Sequence, residues 1–160
     1  MVIKFRGFDA IGERGWVYGD LVHNQRVTVS GLVPRVMVGG YEVQADTVGQ
    51  FSGLHDKDGR EIYVGDIVRW DHDRLLYTVV FQRGMFYASV STCNVDVYGG
   101  FPLWYLCGAG AHCTVVGNQW DNPELLKENN QTIKQDLTYE EINQKRGNDD
   151  DGCRNDRNVK

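Results

Sequence analysis

Residues 50–70 read QFSGLHDKDGREIYVGDIVRW, two apolar segments separated by Asp56-Lys57-Asp58-Gly59 and followed by Gly65-Asp66 and a further apolar run. An Asp-Gly pair between apolar segments marks a β-hairpin, because glycine accepts the positive φ that a tight turn demands. Gly65-Asp66 reads as a second turn, feeding a strand over Ile67, Val68, Arg69 and Trp70. The stretch therefore predicts a mainly β chain, and it contains no catalytic vocabulary.

The same grammar continues downstream. Asp71-His72-Asp73-Arg74 reads as a polar hairpin loop, residues 75–82 (LLYTVVFQ) as the returning strand, and Arg83-Gly84 as the turn into a strand over 85–90. Upstream, residues 2–8 alternate apolar and basic. Ile3, Phe5 and Gly7 fall on one face and Lys4 and Arg6 on the other, as in a half-buried strand. Residues 11–15 form a turn and 16–22 the returning strand; Val27-Thr28-Val29 is another β-rich piece, after which Gly31, Pro34 and Gly39-Gly40 interrupt the chain. Residues 41–44 are extended, and 46–50 a turn or a single helical turn. Around Cys93–Cys113 the pattern weakens: 98–102 is expected as a loop, 103–106 as a strand and 108–111 as irregular, before a last strand over 114–117. Asn122-Pro123-Glu124 announces a helix, with Asn as N-cap, Pro at the first helical position and an acid in the first turn. A second helix is expected over 139–146, where Thr138 and Glu141 form a capping box, and the polar run from Gly147 onward is expected to be disordered.

The expected architecture is a small SH3-like or partly open β-barrel or meander, with a short C-terminal helical extension and a disordered tail. Its divisions fall at 1–120 for the β-rich domain, 121–146 for the helical extension and 147–160 for the tail.

Several blocks resemble the YopX family of bacteriophage and prophage proteins. The widest match covers residues 41–70, with Glu42-Val43, Asp46-Thr47-Val48-Gly49-Gln50-Phe51, Ser52-Gly53-Leu54, the hairpin through Tyr63, and Gly65-Asp66-Ile67-Val68. Residues 115–126 (VVGNQWDNPELL) look like that family's closing motif, and Lys4-Phe5-Arg6-Gly7-Phe8-Asp9 with Tyr18-Gly19-Asp20 like its start. The blocks keep the expected order from about residue 4 to 126; the departures are the Gly- and Cys-containing stretch 98–113 and the tail. The resemblance implies a small phage-associated β protein that self-associates, and it assigns no functional residue.

At 160 residues the chain fits one domain with a real core. No secretory leader opens it and no apolar run reaches the ~18 residues of a membrane span, so a cytoplasmic protein with reduced thiols at Cys93, Cys107, Cys113 and Cys153 is expected. The net charge is −5, and residues 1–128 alone hold eleven Lys and Arg against fifteen Asp and Glu. That balance argues against unspecific coating of phosphate backbones.

Chemistry finds few candidates. Cys107, His112 and Cys113 lack the spacing of a zinc site, and small buried thiols beside a loop are the better reading. Asp71-His72-Asp73 reads as a solvated hairpin tip. Asp56 and Asp58 resemble part of a calcium loop, but the ligand positions after the glycine are not filled, and turn chemistry accounts for them. P-loop, G-x-G-x-x-G and G-x-S-x-G patterns are missing from the sequence. No cofactor or metal is expected, and no enzyme.

Aromatic residues are more plentiful than a small barrel needs to bury. Phe101, Trp104 and Tyr105, beside a Gly-rich loop, form the preferred interaction surface, with Leu125 and Leu126 as apolar anchors of the helix. The expected function is that of a phage or prophage binding or scaffold protein, homo-oligomeric, with a host or phage protein as partner. The alternative is a nucleic-acid-binding accessory protein of phage replication or regulation. It would use Arg60, Arg69, Arg74 and Arg83 with Trp70 and Tyr77 as one stripe.

Overall fold

The computed structural model describes residues 3–72, 75–90, 100–108 and 112–127. The expected helix over 139–146, the tail, Arg74, Cys93 and Cys153 lie outside these residues.

The fold is mainly β, in antiparallel sheets that do not close into a barrel. The first sheet contains β1 (Phe5–Phe8), β2 (Trp16–Gly19), β6 (Gly49–His55) and β7 (Glu61–Tyr63), in the order β2-β1-β6-β7. The second contains β8 (Asp66–Trp70), β9 (Leu76–Gln82), β10 (Met85–Ser89), β11 (Gly100–Pro102) and β12 (Cys113–Asn118), in the order β11-β10-β9-β8-β12. The third is the hairpin of β3 (Leu21–Thr28) and β4 (Gly31–Val38) with the short β5 (Tyr41–Val43) on its far side. A single 3-10 turn, Ala45–Thr47, leads into β6.

The hairpin at Asp56–Gly59 and the meander β8-β9-β10 form as the turn chemistry predicts. Asp56, however, is not a solvated tip residue. It is 5 % exposed and accepts from the backbone N–H groups of Asp58 (3.0 Å) and Arg60 (2.8 Å), and from Val115 on β12 (3.0 Å). One carboxylate thus closes the turn and ties it to a strand 59 residues further on. Burial would raise its pKa, but these three bonds and the Arg60 charge hold it below the ordinary aspartate range.

Two expectations about chain breaks are corrected. Gly31 and Pro34 do not interrupt the third sheet, because β4 runs through both, with Pro34 opposite Gln25. Pro34 is tolerated because β5 covers only Val36–Val38, so that β4 has a single neighbour at the proline. The expected strand over 16–22 is instead divided at Asp20 into β2 and β3, which belong to different sheets.

The stretch expected as loop then strand is, from residue 100, strand then helix. Gly100–Pro102 pairs with β10 as β11, and Leu103–Cys107 is the helix α1. Leu103, Leu106 and Cys107 are buried while Trp104 and Tyr105 face outward, an i, i+3, i+4 pattern that only a helix presents to a core. Its β-favouring aromatics are the outward ones. Cys107 and Cys113 are buried as expected but are joined in a disulfide, not reduced.

The larger core packs Ile62, Val68, Tyr77, Val79, Ala88, Leu103, Leu106 and Val115 beneath the second sheet. A smaller one joins Val17, Val38 and Val43 at the root of the third. At the other end of the chain the helix announced by Asn122 opens at Pro123 and is described over 123–127.

Candidate functional site

Alternation along β1 predicts Arg6 on a solvent face, yet Arg6 is 3 % exposed. Its guanidinium forms an ion pair with Asp66 at 2.6 Å and donates to the Val64 carbonyl at 3.2 Å. Three rings surround it, Trp16 at 4.8 Å, Tyr63 at 5.2 Å and Trp120 at 6.0 Å from the guanidinium carbon. Arginine suits such a cage because its planar, weakly hydrated cation stacks on ring faces while still forking toward a carboxylate. Asp66 also accepts from the Tyr63 backbone N–H at 2.8 Å. Burial pushes its pKa up, and Arg6 and that N–H oppose the shift.

The network continues to the surface. Tyr63 donates its hydroxyl to Glu61 at 2.6 Å, and Lys4 donates to the same carboxylate at 2.7 Å. The Lys4 bond, reinforced by Tyr63, holds Glu61 below its usual range. Burial and the Glu61 bond push the Tyr63 phenol far up. On the other side the Trp16 indole donates to Asp121 at 2.7 Å, which also receives Asn118 at 2.8 Å. Residues from the chain's start, its central hairpin and its closing segment meet here, linked from the buried Arg6–Asp66 pair out to the partly exposed Lys4–Glu61 pair. The cage is a structural joint.

The exposed chemistry lies elsewhere. Phe101, Trp104 and Tyr105 are 39 %, 61 % and 56 % exposed and adjoin one another. Phe101 stacks on Tyr105 with centroids 6.0 Å apart, and Trp104 meets Tyr105 edge-on at 6.2 Å. Trp70 lies against both Phe101 (5.9 Å) and Tyr105 (6.0 Å), and the buried Tyr77 touches Phe101 at 6.1 Å. His72 extends the group from Trp70 (5.0 Å) to His112 (5.1 Å). The disulfide ties the end of α1, which presents Trp104 and Tyr105, to the start of β12. Register places that start, Cys113, opposite Trp70. The aromatic face is therefore mounted on a fixed support, with a polar edge at His72, His112 and the Lys57–Asp71 ion pair (3.1 Å).

Leu125 and Leu126 do not join this face. They are half-buried in the segment after Asn118, at the opposite end of β12 from Cys113.

Among the described residues the arginine stripe is not assembled either. Tyr77 is 2 % exposed and offers no ring to stack a base. Arg69 and Trp70 are neighbours on β8 and point to opposite sides of the sheet. Arg60 lies in the Asp56 turn, and Arg83 at the β9–β10 hairpin. Trp70 and Tyr77 instead support the aromatic face. Cys107 and Cys113, expected as free buried thiols, are instead paired with each other. Among the described residues, no three or more His, Cys, Asp or Glu are grouped to hold a metal ion. No helix among them is long and apolar enough to cross a membrane.

Sequence reasoning identified the three outer aromatics and missed Trp70, His72 and His112 as their neighbours. The signal was long-range: β12 beside β8 brings position 112 next to position 72.

A comparison with curated proteins returns no match. Among solved structures, the crystal structure of protein EF1440 from Enterococcus faecalis is similar over 79 % of this chain and 99 % of its own, at 21 % identity and a TM-score of 0.48. The model of the family described as YopX protein matches residues 4–127. That span contains the Arg6 cage, the Asp56 hairpin and the aromatic face, and the chain belongs to the YopX family.

Proposed function

We propose that this is a non-enzymatic binding or scaffold protein of phage or prophage origin, self-associating and acting in the bacterial cytoplasm, whose aromatic face holds a host or phage protein. The observation that carries the reading is the exposure of Phe101, Trp104 and Tyr105 on a helix whose other side is locked into the core and stapled by the disulfide. Rigid aromatic side chains lose little entropy on docking, and a central ring cluster with a polar rim is the usual form of a binding hot spot. The acidic balance of the chain favours a protein over a nucleic acid as that partner.

Trp104→Ala tests this. It removes the most exposed ring of the face from a helix anchored by other residues, so the melting profile should stay and partner binding should fall. Retention of the same partner at the same strength by the variant would sink the reading of the face.

A further inference from the structure

The third sheet leaves the body of the protein. Leu21, Val36 and Val38 begin its apolar face, packed with Val17 and Val43 in the smaller core. Cross-strand register continues that face outward through Gln25↔Pro34 and Val27↔Leu32. Past His23 and Val36, β5 has ended, and residues 24–35 have only each other as strand partners. This distal part extends roughly 17 Å at the rise of a β-strand. Val27 is 81 % exposed, Leu32 62 %, and Val29 at the tip fully exposed. A core-forming face thus runs out into solvent uncovered, on a two-stranded ribbon of a kind that is marginal in water by itself.

The opposite face mixes Val22, Val33 and Met37 with the arm's two arginines. Arg26 and Arg35 lie there, both reaching Glu42, at 3.4 Å and 3.7 Å. From Leu21 to Val38 the arm has two arginines, one histidine and no carboxylate, so the net charge of −5 arises wholly outside it. The body around the arm's root presents exposed Glu13, Asp20 and Asp46. The arm is therefore positive and apolar, and the body it springs from is negative.

We propose that the β3–β4 arm is where two copies of this chain meet, the apolar faces of the arms stacking about a two-fold axis and each arginine-bearing outer face lying toward the other copy's acidic body. This rests on the self-association read above and names its surface. A two-fold contact uses the same patch on both copies, so Val27, Leu32 and Pro34 of one arm cover the same residues of the other at the usual sheet spacing of about 10 Å. Reach, polarity and charge of the arm all fit a second copy.

Sedimentation of the full chain, alone and with Val27→Asp/Leu32→Asp, tests the proposal. Both positions are exposed, so the variant should keep the wild-type circular dichroism while its assembly weakens by about tenfold or more. Trp104→Ala should assemble as the wild type does. A second variant, Val27→Cys, should be joined between copies by a bismaleimide that bridges about 10 Å, the spacing of stacked sheets, with peptide mapping placing the link at position 27. If the wild type assembles, the Asp pair leaves assembly unchanged and no such link forms, the arm is overturned while self-association stands. If the wild type sediments as an 18.2 kDa monomer, both fall.

Discussion

Arg6 and Asp66 form an ion pair at 2.6 Å with 3 % and 0 % of their side chains exposed. Removing one partner of a buried pair leaves the other charge without compensation, and the desolvation already incurred is not recovered. Arg6→Met should therefore cost about 3–5 kcal/mol in urea unfolding. The double variant Arg6→Met/Asp66→Leu should recover much of that loss, because two apolar side chains can fill the ring cage without a stranded charge. Equal losses in the single and double variants would show that the rings, not the charges, need Arg6.

Asp56 gives a pH dependence of known sign. Its folded pKa lies below the 3.8 of the free side chain. The stability it contributes is fully present above 3.8 and is lost as pH falls through the lower folded value. Asp56→Asn replaces one accepting oxygen with a donor, and should cost about 1–3 kcal/mol at neutral pH by stranding a buried N–H. The difference in stability between wild type and variant should shrink as pH drops below 3.8. A constant difference down that limb would contradict the assignment.

Tyr63 acts at the other end of the scale. Its folded pKa is raised above 10.0, so the phenol's contribution is complete below 10.0 and is lost as pH rises through the folded value. Tyr63→Phe should flatten the alkaline limb of a stability-against-pH curve. An unchanged alkaline limb would place the titration elsewhere.

Gly65 is held at φ +86°, and a Cβ there would meet the Trp120 ring. Gly65→Ala combines an unfavourable backbone with a displaced indole, and should cost about 1–3 kcal/mol. Because Trp120 lies against Trp16 at 5.4 Å, tryptophan fluorescence should change with the loss of stability. Wild-type fluorescence and stability would contradict this contact.

The central hairpin, the meander and the helix start at Pro123 were legible because their signals are local: Asp-Gly, Arg-Gly, period-two alternation, Asn-Pro. The buried Arg6 was not, since β1 by itself shows only an alternating charge, and the rings that cover it come from positions 16, 63 and 120. The α1 helix was misread because Trp104 and Tyr105 favour strands on propensity, while the core-facing spacing of Leu103, Leu106 and Cys107 decides the element. The arm was missed because Gly31 and Pro34 were weighed as breakers, although a ribbon with one open edge accepts a proline. Of the aromatic face, the three outer rings could be found from the sequence; Trp70 and the two histidines depended on strand pairing.

The most direct measurement is parallel capture from bacterial lysate by wild type and Trp104→Ala, each with and without nuclease, reading bound protein and bound nucleic acid. The predicted result is a protein that wild type retains after nuclease and Trp104→Ala does not. Equal retention by both would contradict the aromatic face as the binding surface, and recovery of nucleic acid that dissociates in moderate salt would contradict the protein partner.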